Sequence, residues 1–168
     1  MLNSGIQRRT DFSEPDSIDI ATVQLEFNTN YIAHLALTKA FLPFLQKKQT
    51  ESALVYVTSG LALVPLLRCS NYSASKAALH LKKSKVKVIE VFPPAVQTEL
   101  HDEKHQPDIQ NGGSIGMPLD EFMDEAYAGL VDGQDQIPVG MAKRAFDGFE
   151  VKRQEAFAHM LKMMGGGP

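Results

Sequence analysis

The chain carries a single cysteine, Cys69, in 168 residues. No internal disulfide can form, and a reducing compartment fits that composition. Charge of one sign is also lacking. Seventeen Lys and Arg stand against twenty Asp and Glu, a net −3, which gives no electrostatic case for nucleic acid or an anionic membrane. No apolar run approaches the roughly 20 residues that cross a bilayer. The first nine residues, Met1-Leu-Asn-Ser-Gly-Ile-Gln-Arg-Arg9, have no signal-peptide core, and no internal repeat is present. These absences point to the cytoplasm and to no membrane or nucleic-acid partner. What is there, 43% hydrophobic and 22% charged residues, suits one globular domain with its own core.

Periodicity sets the expected elements. A helical pattern runs from Ile18 to about Gln46, with Val23, Phe27, Tyr31, Leu35, Thr38, Leu42 and Leu45 at helical steps. Pro43 should bend its last turns. Ser52–Thr58 reads as a buried strand, and a helix follows from Ser70 to about Lys83. Lys85–Phe92 alternates as a second strand and ends at Pro93-Pro94. His101–Met117 is polar and rich in glycine, hence a loop. A helix opens after Pro118, with Asp120 and Glu121 in its first turn. Gln136–Val139 is a short strand. A last helix over Ala142–Met164 places Phe146, Phe149, Phe157, Met160 and Leu161 on one side, as core or lid. Strands alternating with helices predict an α/β fold with a parallel sheet. Residues 1–164 form one domain, and Gly165-Gly-Gly-Pro168 a disordered tail.

Chemistry concentrates on three residues. Tyr72 and Lys76 stand four apart, on one face of a helix. Ser59 follows the strand, in Val57-Thr-Ser-Gly60. A carbonyl reductase needs a proton donor for the oxygen while hydride reaches the carbon. A phenol with a pKa of about 10 is a poor acid–base at neutral pH. A lysine ammonium beside it favours the phenolate and lowers that value. A serine hydroxyl at the strand end can hold the substrate oxygen.

This set resembles the active site of the short-chain dehydrogenases/reductases. Other segments agree in order and approximate spacing. Asn3-Ser4-Gly5 is similar to the family's Asn-Ala-Gly motif at the end of its fourth strand. Asn30 in Asn28-Thr-Asn-Tyr-Ile-Ala sits where the family places a helix asparagine, and Pro43 fits its Leu-Pro pattern. Pro93-Pro-Ala-Val-Gln-Thr98 resembles the Pro-Gly-x-x-x-Thr segment that meets the nicotinamide. The resemblance implies a Rossmann-type parallel sheet with flanking helices, and NAD(P)-dependent chemistry on an alcohol/carbonyl pair. It implies Tyr72 as general acid–base, Lys76 as its modulator and holder of the nicotinamide ribose, and Ser59 as the group orienting the carbonyl. Asn30 would hold a relay water through a locally bent helix. Asn3 would brace the central sheet near the cofactor, and Pro93, Val96 and Thr98 would line the nicotinamide pocket. Pro94 departs from the family's glycine and removes one N–H donor.

The family's opening strand, its Thr-Gly-x-x-x-Gly-x-Gly turn and the helix after it have no match here. That turn brings N–H groups and a helix N-terminus to the pyrophosphate. Gly112-Gly-Ser-Ile-Gly116 lies in a late loop with no strand before it. The sheet is therefore expected to be truncated, and NAD or NADP to bind with a dissociation constant of roughly millimolar or weaker. The helix after Lys76 is also expected to be shorter than the family's. The alternative reading is a non-catalytic chain that binds a partner, as a homodimer or as a heterodimer with a full-length relative. His101-Asp-Glu-Lys-His105 imitates a zinc-protease motif, but Glu does not follow the first His and the stretch has no apolar face, so no metal is expected. His34 and His80 are expected as helix-surface or packing residues, and Cys69 as a buried thiol.

Overall fold

The computed structural model describes residues 1–78 and 86–164. The expected extension of the Tyr72 helix to Lys83, His80 and the tail Gly165–Pro168 fall outside the described residues.

The first helix, α1 (Ile20–Phe27), begins where Asp19 caps it; the carboxylate accepts from Ala21 N–H at 3.0 Å and Thr22 N–H at 3.2 Å. One π-helical turn, Asn28–Ile32, then leads into α2 (Ala33–Gln46). After it come β1 (Ala53–Val57), α3 (Ser70–Ala77) and β2 (Lys87–Phe92). The last part holds α4 (Leu119–Val131), β3 (Gln136–Pro138), a single turn α5 (Ala142–Ala145), a π turn Phe146–Glu150, and α6 (Val151–Met163).

The three strands are parallel and neighbour each other in chain order, with Val55 beside Ile89 and Val91 beside Ile137. Leu2 adds one more parallel pairing on the outer side of β1. Its N–H donates to Val55 O at 2.7 Å, and its carbonyl accepts from Val57 N–H at 3.0 Å. Asn3-Ser4-Gly5 thus leaves the sheet at a strand end, in line with Ser59, which follows the C-terminal end of β1.

Alternation along the strands builds a layer on each face. Leu54 and Tyr56 pack with Leu2 and Val86 against Tyr31, Leu42 and Leu45 of the long helical arm. Val55, Ile89, Val91 and Ile137 meet Phe122, Ala126 and Leu130 of α4 on the other face. Gly129 allows that approach: a Cβ there would lie 2.6 Å from Ile137 Cγ2. The final helix departs from expectation. Phe146 stacks on Phe92 at 5.6 Å, but Phe149 and Met160 are exposed and Phe157 is half-buried. The π turn re-phases the helix after Phe146, so its later apolar residues do not form core.

Candidate active site

α3 delivers Tyr72 and Lys76 to the end of β1. Tyr72 is 5% exposed and Lys76 is 2% exposed. The Lys76 ammonium donates to Val57 O at 3.0 Å, the last strand residue, and lies 5.7 Å from the centre of the Tyr72 ring. Ser59 is buried; its hydroxyl accepts from Leu61 N–H at 3.1 Å and so starts the 3-10 turn Gly60–Ala62. Gly60 N–H donates to Pro93 O at 2.7 Å, which ties this turn to the segment after β2.

A cavity of about 790 Å³ opens here. It is lined by Ser59, Tyr72 and Lys76, and also by Asn3, Pro93, Val96 and Thr98. Every residue that the sequence assigns to the site reaches this cavity except Asn30. Asn30 stands behind it, fully buried. Its Oδ1 accepts from Ile6 N–H at 2.8 Å, and its Nδ2 donates to Ile6 O at 2.8 Å and to Ser75 Oγ at 3.1 Å. The π turn around Asn30 is the expected local bend, and Asn30 clamps the strand-end segment to the α3 helix. Asn3 departs from its expected role. It is exposed, and its side chain makes no hydrogen bond among the described residues. Bracing falls to Leu2 and Asn30 instead.

The electrostatics also differ from expectation. Burial pushes the Tyr72 hydroxyl up to about 12, although the nearby Ser59 side chain favours the phenolate. Burial pushes Lys76 down to about 8. Loss of water is the first cause of both shifts, and in each case it disfavours the charged form. At neutral pH Tyr72 is a neutral proton donor.

The face of the helical arm buries Glu26, which the sequence reading did not place, and His34, which it expected at the helix surface or in packing. Glu26, Asn30 and His34 follow at four-residue steps and are the arm's fully buried side chains. His34 Nε2 lies 3.2 Å from Ser4 Oγ, while its Nδ1 has no partner. It is a core residue, and its imidazole is held below its ordinary pKa by burial, then by the Lys76 charge. Glu26 Oε1 accepts from Arg8 N–H at 2.9 Å, and its Oε2 has no partner. The four-residue step from Asn30 was the available signal for both.

Burial raises Glu26 to about 7, against the lowering effect of Arg8. Its folded value lies above the unfolded value of about 4.3, so its stability contribution is present below that value and is lost as pH rises through 7. The Glu26→Gln variant is expected to match the parent near pH 5 and to exceed it at pH 8 by up to about 3 kcal/mol. Thermal unfolding at both pH values checks this, and identical pH profiles would contradict it.

The segment 101–117 borders the cavity through His105 and is fixed at several points. Gln106 is buried; its Nε2 donates to Leu100 O at 2.8 Å and Gln7 Oε1 at 3.2 Å. Gly116 takes φ +96°, the left-handed region that suits glycine. The described residues contain no cluster of His, Cys, Asp and Glu able to hold a metal. Cys69 is buried and its thiol is raised to about 11, chiefly by burial. No helix among the described residues is long and apolar enough to cross a membrane.

A parallel sheet with helices on both faces, and a site at the strand C-terminal ends, defines a Rossmann-type α/β protein. The sequence pattern of the short chain dehydrogenase family matches residues 1–108. The uncharacterized oxidoreductase DltE of Bacillus subtilis (strain 168) is 35% identical over 144 residues, covering 80% of this chain and 56% of that protein. This chain belongs to the short-chain dehydrogenase family, and it spans little more than half the length of that relative. A short chain dehydrogenase from Burkholderia cenocepacia J2315, solved in complex with NADP, superposes with a TM-score of 0.69 at 28% identity, over 94% of this chain and 67% of that one. The short-chain dehydrogenase from Sphingobium yanoikuyae in complex with NADPH also has a TM-score of 0.69, over 92% of this chain and 62% of that one; at 22% identity it bears on the fold alone.

Proposed function

We propose that this chain carries the site of an NAD(P)-dependent oxidoreductase acting on an alcohol/carbonyl pair. The carrying observation is one cavity lined by the buried Ser59, Tyr72 and Lys76 at the end of β1. A nicotinamide bound there would supply or accept the hydride. The nicotinamide and ribose end fits the residues present. Pro93, Val96 and Thr98 offer a largely apolar wall, and Lys76 offers an ammonium for ribose hydroxyls. Among the described residues no glycine-rich strand-to-helix turn meets the pyrophosphate, so the few contacts imply weak affinity.

In reduction, the Ser59 hydroxyl would orient the carbonyl oxygen. Tyr72 would donate its phenolic proton to that oxygen, leaving an alcohol and a phenolate. Lys76 would stabilise the phenolate and return a proton to it. Because Tyr72 is raised to about 12, it starts in the form that reduction requires. Oxidation would first have to remove that proton.

One observation supports a second reading as a partner-binding chain. Leu37, Phe41 and Phe44 of α2 are exposed. Such a row would serve a homodimer or a pairing with a longer relative. Transfer of deuterium from reduced nicotinamide labelled at its reactive carbon to a carbonyl compound, at millimolar cofactor, distinguishes the enzyme from the binding protein.

A further inference from the structure

Two consecutive arginines follow the Asn3-Ser4-Gly5 segment and have different surroundings. The Arg9 guanidinium is committed to Asp108 at 2.9 Å and Asp11 at 3.2 Å. Arg8 has no carboxylate at ion-pair distance among the described residues. Its Nη1 donates to Gln7 O at 2.8 Å, and most of its five-donor fork stays available.

The Arg8 backbone is held firmly. Its N–H is the one bound by buried Glu26, and the neighbouring Ile6 is held on both its N–H and its C=O by Asn30. Glu26 is hydrogen-bonded through the main chain, and the Arg8 charge acts on it without an ion pair. Arg8 lines the same cavity as Ser59 and Tyr72, and it also lines an adjoining cavity of about 230 Å³ under the 105–108 segment. In the larger cavity Arg8 and Lys76 face one carboxylate, Glu99, while Asp19, Glu26 and Asp108 line only the smaller one. Lys76 is already bonded to Val57 O. Arg8 is the cation there with unused donors, and a guanidinium fork matches a carboxylate in two parallel bonds.

We propose that Arg8 anchors a carboxylate on the substrate, so that the cleft takes an oxo acid and returns a hydroxy acid. The substrate class rests on the oxidoreductase reading above; the anchor itself needs no turnover. Chemically, the keto carbon takes a hydride from a reduced nicotinamide, which is left oxidised; the C=O π bond opens, and the oxygen takes the Tyr72 proton, which Lys76 would replace. The carboxylate stays on Arg8 and is unchanged.

The test compares benzoylformate with its neutral methyl ester, by isothermal titration calorimetry on the full chain without cofactor. The acid is expected to bind at least about tenfold tighter than the ester, as a charge-assisted hydrogen bond provides. Arg8→Ala should remove that preference, and Arg8→Lys should keep part of it, with circular dichroism and melting temperature unchanged. Where Arg8→Ala does not fold, Arg8→Gln gives the same reading, because it keeps a donor for Gln7 O. Equal binding of acid and ester, no binding of the acid, or a preference that survives loss of Arg8 overturns the anchor. An acid preference lost with Arg8, but with no deuterium transfer to either compound, upholds the anchor and overturns the oxidoreductase reading. Deuterium transfer to the ester as readily as to the acid overturns the anchor alone.

Discussion

Tyr72→Phe is expected to lower carbonyl reduction by about 10²–10⁴-fold, the range of a positioned proton donor. The substitution removes one oxygen and leaves the ring. That ring is 5% exposed and packed beside Lys76, so its burial is unaffected and the fold should keep its stability. The loss should fall on kcat, because the ring still shapes the cavity and Ser59 still orients the carbonyl. The cavity's other phenol, Tyr127, stands on α4. Steady-state rates at millimolar reduced cofactor, with melting temperature as control, measure it. A loss below tenfold would mean that another group delivers the proton.

Asn30→Ala should have the largest effect on stability. Asn30 makes three side-chain hydrogen bonds in a fully buried position. Its removal leaves the Ile6 N–H and C=O unpaired and opens a space between the arm and α3. Each orphaned group costs about 1–3 kcal/mol, so the two together cost about 2–6 kcal/mol. Ile6 also leads into Arg8 and lies beyond Gly5, where an added Cβ would sit 3.1 Å from Lys76 Nζ. Unclamping this segment should therefore loosen the lysine as well as the fold. Urea unfolding of parent and variant measures the cost. A difference under about 1 kcal/mol would show that solvent or backbone rearrangement replaces the clamp.

The sheet and the three chemical residues were legible because each leaves a short-range mark. Ser70 starts its helix as read, and α4 opens after Pro118 as read, since periodicity and proline breaks are local signals. The Ser59, Tyr72 and Lys76 set was legible through its spacing. Glu26 was not, and His34 was legible only as a surface or packing residue. Their burial depends on Arg8 and Ser4, more than a dozen residues away, and polar residues on an apolar stripe read as surface. The raised Tyr72 value was also hidden, because spacing shows a lysine neighbour but not how much water the fold removes from both. The final helix misled for a related reason. A π turn shifts the phase of Phe149 and Met160, and nothing in the pattern of apolar residues marks it.

In the proposed reaction this cavity passes hydride between a nicotinamide and a carbonyl carbon. Its most direct measurement is the fate of deuterium carried at the reactive carbon of NADH or NADPH, supplied at millimolar concentration with a carbonyl acid. The account predicts that the label arrives on the carbinol carbon of the product, with one stereochemistry, and that Tyr72→Phe suppresses the transfer. Unlabelled alcohol, or no consumption of either cofactor while the chain remains folded, would contradict it.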